Sequence, residues 1–166
     1  MPIIMKIKNH RGFTLIELIV AIAILSVMAI TAIAALDPFA QFQKANDAKR
    51  KGDLSQVQKA LEVYYQDNNS YPVNSGWKIN GLSWGSNWQP YMNVIPSDPS
   101  AGKNYVYYTP DGQSYYLYAS LDRGGKDPQA CKNDGSACAN LPSGASCGRG
   151  SGVVCNFGIV SPDKSP

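Results

Sequence analysis

Residues 11–36 read RGFTLIELIVAIAILSVMAITAIAAL, from Arg11 to Leu36. Phe13 to Leu36 is an apolar run of 24 residues. As a helix rising about 1.5 Å per residue it reaches roughly 36 Å, against a bilayer hydrocarbon core of about 30 Å. By length it is a membrane helix. Lys6, Lys8 and Arg11 precede it with no acidic residue among them. One residue is out of place in lipid: Glu17, four positions after Phe13. A charge there costs about 3 kcal/mol unless a partner neutralises it.

Lys8-Asn9-His10-Arg11-Gly12-Phe13-Thr14-Leu15-Ile16-Glu17 resembles the cleavage and methylation signal of type IV prepilins and of the pseudopilins of type II secretion. The resemblance implies that a prepilin peptidase cuts between Gly12 and Phe13 on the cytoplasmic side. Phe13 then becomes a methylated amino terminus. By the same resemblance, Glu17 pairs with the terminal amine of a neighbouring subunit, which supplies the missing cation in a low-dielectric setting. Ala32-Ile33-Ala34 also looks like a site for an ordinary secretory signal peptidase, but the charge of Glu17 inside the apolar run argues against that use.

The formal charge of +3 belongs to the leader. Without Lys6, Lys8 and Arg11 the chain holds 12 basic and 12 acidic residues, so net charge gives no indication of nucleic-acid binding. His10 is the single histidine and leaves with the leader. The mature chain then has no Ser-His-Asp or Cys-His catalytic set, and no enzymatic activity is expected. Cys131, Cys138, Cys147 and Cys155 contain no C-x-x-C pair, and their even number beyond a membrane segment suits two disulfides, with three connectivities open. Lys44, Lys49, Arg50 and Lys51 come after the apolar run, so the positive-inside count is undecided. The prepilin-like signal and the cysteines assign the amino terminus to the cytoplasm, with a single pass through the inner membrane and an extracytoplasmic head.

The chain divides into six segments: a leader over 1–12, a transmembrane helix over 13–36, a helix in the head over 37–69, a loop over 70–103, a hairpin over 104–121 and a cysteine-containing segment over 122–166. Pro38 predicts a kink or break, with Asp37 capping the helix beyond it. Leu54, Val57, Leu61 and Tyr64 recur at helical spacing and form the expected core stripe, while Asp53, Gln56, Lys59 and Glu62 occupy other faces. Gly52 is read as the point where the helix enters the head. Lys49-Arg50-Lys51 is read as a solvated face answered by Asp47 and Asp53 or by a neighbouring subunit. Asn68-Asn69 and Pro72 end the helix. Tyr105–Thr109 and Ser114–Leu121 flank the turn residues Pro110-Asp111-Gly112-Gln113 as a hairpin, and Val153–Val160 returns as a last strand. The expected fold class is α+β, a long amino-terminal helix packed on a small antiparallel sheet.

Tyr64-Tyr65-Gln66-Asp67-Asn68, followed by Ser70-Tyr71-Pro72, resembles the helix exit of pseudopilins and related bacterial pilins, and Ile95-Pro96-Ser97-Asp98-Pro99 resembles the pre-sheet turn of the major pseudopilin. That family is known for calcium in a loop after the hairpin, where Asp122, Asp127 and Asp134 lie here; no EF-hand spacing is present, and solvated loop carboxylates are the simpler reading. Trp77, Trp84 and Trp88 pin the long loop or offer stacking platforms. The resemblance implies a subunit of a type IV pilus-like or secretion pseudopilus filament. Its partners would be further copies of itself and other pilins, the prepilin peptidase, and an inner-membrane assembly platform with its ATPase motor. The alternative is a secreted or membrane-anchored binding module that uses the tryptophan loop without filament assembly.

Overall fold

Thr14 starts the apolar helix α1, Leu15–Leu36, because its hydroxyl accepts the Glu17 backbone N–H at 3.3 Å. The Glu17 carboxylate reaches back to the Thr14 N–H at 2.9 Å, completing a capping box. The computed structural model describes residues 12–150 and 152–162; Met1–Arg11, most of the expected leader, lie outside them. The span Leu15–Ile33 is long and apolar enough to cross a membrane. Asp37 ends α1 in the left-handed conformation (φ 41°), and its carboxylate accepts the Ala40 N–H at 3.3 Å. Pro38 then opens α2, Pro38–Asn68, so the expected break falls one residue before the proline. Residues up to Ala40 and residues from Gln41 onward form two compact units.

Within the second unit, α2 buries Leu54, Val57, Ala60 and Leu61 against Tyr105, Tyr107, Tyr115, Leu117 and Phe157. Each fully buried aliphatic side chain contributes about 1.5–3 kcal/mol relative to exposure. Gly52 is exposed, whereas burial already begins at Asp47. The helix therefore enters the head at Asp47, and Gly52 does not mark its entry. Asn69 (φ 53°) takes the left-handed cap, with its N–H on the Tyr65 carbonyl at 2.8 Å.

The sheet has the order β3-β4-β5 and is antiparallel throughout: β3 is Val106–Tyr108, β4 Tyr116–Ala119 and β5 Phe157–Val160. Tyr107 pairs with Leu117, and Leu117 in turn with Ile159. Strand alternation sends Tyr107 and Leu117 toward α2, and Val106 and Tyr118 to the opposite face. There Cys138, Cys147 and Cys155 cover them, so the sheet lies between a helix and a disulfide-closed tail. The last strand is shorter than the sequence suggests because residues 153–156 run beside the cysteines; the Cys138 N–H donates to the Cys155 carbonyl at 2.9 Å.

The long loop carries a second, two-stranded sheet, β1 (Asn74–Ser75) with β2 (Lys78–Ile79). Its tryptophans are built into the head. Trp88 is buried against Tyr64 and Tyr91, Trp84 stands edge-on to Tyr105 with centroids 5.5 Å apart, and Trp77 lies 6.1 Å from Tyr108.

Of the three possible connectivities the structure has Cys131–Cys138 and Cys147–Cys155, with Cα separations of 5.1 and 5.3 Å. Each closes a short loop, worth about 2–3 kcal/mol in chain entropy. The double variant Cys147→Ser with Cys155→Ser is expected to lose about that much stability in urea unfolding followed by circular dichroism. An unchanged midpoint would mean that β5 is held without the crosslink.

Candidate functional site

Two regions carry charge in places where charge is expensive. The first is the start of α1. The Glu17 carboxylate accepts from both the Thr14 hydroxyl at 2.7 Å and the Thr14 N–H. Thr14 thus satisfies part of the carboxylate's hydrogen-bonding capacity, and among the described residues no positive charge pairs with it. Gly12 and Phe13 lie just upstream, outside the helix and exposed, and Phe13 is 81% exposed. The Thr-x-x-Glu capping signature is present in the sequence, and a reading of Glu17 through its charge alone passes over it.

The second region is Arg50. It is not on a solvated face: its side chain is completely buried. All five of its N–H donors are used. Nε and Nη2 form a fork on Asp98 at 2.8 and 3.0 Å, and Nη1 reaches Asp47 and Asp122, each at 2.8 Å. Nη2 also donates to the Ser100 hydroxyl at 2.8 Å. Helical spacing points to Asp47 as a partner; Asp98 and Asp122 are far away in sequence, and no local pattern points to them. Asp47 further accepts the backbone N–H groups of Asp122 and Arg123, at 2.8 and 2.9 Å. Lys103 joins the group through the other oxygen of Asp122, at 2.6 Å. Of the basic triplet only Lys49 behaves as expected, exposed and 4.0 Å from Asp53. The polar residues Asp53 and Glu62 are also acceptors for core hydroxyls, from Tyr105 at 2.7 Å and from Tyr71 and Tyr115 at 3.1 and 2.9 Å.

The three carboxylates considered for calcium have separate surroundings. Burial disfavours ionised Asp122, but hydrogen bonds from Arg50 and Lys103 outweigh it and hold the carboxyl below its ordinary range. At Asp127 burial is likewise outweighed, by Lys51, whose Nζ lies 2.7 and 2.6 Å from the two oxygens, and by the Gln129 N–H. Asp134 accepts the Ser136 N–H at 2.9 Å in a local turn. No cluster of three His, Cys, Asp or Glu side chains suited to a metal occurs among the described residues. Two of the three carboxylates already have ammonium or guanidinium partners, so this donor set does not fit a calcium ion.

Matches to known proteins span both regions. Residues 7–35 match the prokaryotic N-terminal methylation motif, and residues 38–137 match the family model of type II secretion system protein G. The type II secretion system core protein G of Pseudomonas aeruginosa is 30% identical over 131 residues, which cover 74% of this chain and 90% of the relative. The protein of the same name from Escherichia coli K12 is 32% identical over 116 residues, 65% of this chain and 78% of the relative. That of Vibrio cholerae is 29% identical over 112 residues. No solved structure matches the chain significantly.

Replacing Arg50 by Gln leaves Asp47, Asp98 and Asp122 without their shared cation, and is expected to cost about 3–5 kcal/mol in thermal or urea unfolding. Arg50→Lys should recover little, since an ammonium has three donors against the five used here. Near-wild-type stability of either variant would remove the guanidinium from its structural role.

Proposed function

The chain belongs to the type II secretion system protein G family, and on that premise we propose that it is the filament subunit of a secretion pseudopilus. The single observation that carries the reading is the coupling, in one chain, of the methylation motif at 7–35 to the family's head at 38–137. One apolar helix anchors the subunit in a membrane, and the family is a structural one. The inner membrane, with the amino terminus cytoplasmic and the head outside, is the placement that suits the prepilin-like signal and the two disulfides.

Cleavage between Gly12 and Phe13 frees an amine four residues from Glu17. The exposed junction, outside any helix or strand, suits a peptidase. In the polymer a neighbour's Phe13 amine would offer Glu17 the positive charge that Thr14 lacks, and the pairing would set axial register between helices. The partners of this reading are other copies of the chain and related pseudopilins, the prepilin peptidase, and the membrane assembly platform with its motor. In the head, Lys51 and the Cys131–Cys138 disulfide hold the loop over 122–138, which supports a reading without calcium.

Mass spectrometry of the protein isolated from membranes is expected to find methylated Phe13 at the amino terminus, and Glu17→Val is expected to fold but to lose filament assembly. A retained leader, or normal filaments from Glu17→Val, would reject the reading. The unfolding temperature is expected not to respond to millimolar calcium or to chelator; a rise with calcium would reinstate a metal in the loop.

A further inference from the structure

We propose that a cleft on the side of α2 facing the residue 122–128 loop binds a phosphate group carried by the headgroup of an anionic phospholipid. The cleft has a volume of about 390 Å³ and is lined by Lys44, Asp47, Lys51, Arg123, Lys126 and Asp127. Its two anions are answered from within. Asp47 takes Arg50 and two backbone N–H groups, and Asp127 takes Lys51 and the Gln129 N–H. Lys44, Arg123 and Lys126 remain. Arg123 contributes a longer-range attraction to Asp127, but among the described residues no side-chain hydrogen bond or ion pair engages any of the three. Three unspent cations around one concavity form a site for an anion with several acceptor oxygens, and a phosphate meets that description.

The backbone that carries Arg123 and Lys126 is fixed. The 3₁₀ turn Gly124–Lys126 is fixed on both sides. The Arg123 N–H is tied to Asp47, and Asn156 packs so closely over Gly124 that a Cβ there would collide with it. Asn156 is itself locked to the Leu121 N–H at 2.7 Å. Lys44 comes from α2, one helical turn before Asp47, and completes the opposite wall.

Chain position selects a lipid as the source of the phosphate. This step rests on α1 lying in a membrane. Leu36 closes the apolar helix, and Phe39 and Phe42 continue the apolar character while 70 and 71% exposed, as interfacial aromatics are. Lys44 comes two residues later and six residues into α2, about 9 Å of helix from Pro38. The headgroup layer adds about 5–7 Å to each side of the hydrocarbon core, and a lysine stem extends the reach of its ammonium. Each cation beside an anionic surface strengthens binding about fivefold.

The test uses the full chain reconstituted in three media: phosphatidylcholine vesicles, the same vesicles containing phosphatidylglycerol, and phosphatidylcholine vesicles with added inorganic phosphate. Amide hydrogen exchange is read over residues 44–51 and 122–128. Slower exchange with phosphatidylglycerol alone, relieved by salt, supports the proposal, and so does its loss in the variant Lys44→Gln/Arg123→Gln/Lys126→Gln. That variant removes no side-chain hydrogen bond or ion pair among the described residues and should keep the wild-type unfolding temperature to within a few degrees. Equal exchange in the two lipids overturns the proposal, as does protection that survives in the variant. Equal slowing by inorganic phosphate alone overturns the lipid source. Slowing that tracks protein concentration instead of lipid assigns the cleft to a second copy of the chain and likewise overturns it. Co-flotation with both vesicles separately reports membrane insertion; a chain that floats with neither fails the membrane reading and takes the proposal with it.

Discussion

A guanidinium cannot be buried with a donor left over, and Arg50 is buried completely. Its five N–H groups require acceptors in a fixed plane, and no single loop provides them. Asp47 comes from the same helix, Asp98 and Ser100 from the end of the long loop, and Asp122 from the segment after the hairpin. Two stretches of chain outside α2, which share no secondary structure, are thereby tied to one point on it. The aspartate of the Pro96-Ser97-Asp98-Pro99 turn has a physical task here: its carboxylate takes the guanidinium fork and the Ser100 N–H together. Ion pairs of this kind add modest net stability because desolvation offsets much of the attraction. What they enforce is arrangement, since every alternative packing leaves a charge unpaired in the interior.

That constraint divides labour within the head. The apolar stripe of α2, from Leu54 to Leu61, packs on one face of the sheet and provides the hydrophobic stabilisation. The other face is too poor in aliphatic side chains to hold a cover by burial alone; the cysteines of the tail supply both the cover and its crosslinks. Arg50, Lys51 and Lys103 then hold the connections that neither layer reaches.

Periodicity and turn chemistry make most of this architecture legible. The membrane span, the break at Asp37-Pro38, the stripe on α2, the left-handed Asn69 and the hairpin around Gly112 all arise from local rules, in which each residue's neighbours in sequence decide its conformation. Arg50 is not legible in this way, because a basic triplet looks the same whether its partners lie three residues away or 72. The cysteine pairing is open in the sequence for the same reason. At α1 the difficulty is of another kind. Thr14 and Glu17 stand at capping-box spacing, but the cost of the charge draws attention away from the local hydrogen bonds that organise it.

The same loss of information affects net charge. Once the leader is set aside, acids and bases balance at 12 each, which describes a neutral surface only if the charges are evenly paired. They are not. Asp47, Asp98, Asp122 and Asp127 are drawn inward onto Arg50, Lys51 and Lys103, so their negative potential is spent inside the head. Near the start of α2 this leaves the cations of Lys44, Arg123 and Lys126 facing one cleft. A formally neutral chain thus presents a basic face, and the asymmetry is a by-product of the buried guanidinium network. The interaction that holds the loops in place also determines which charges the head has left to offer outward.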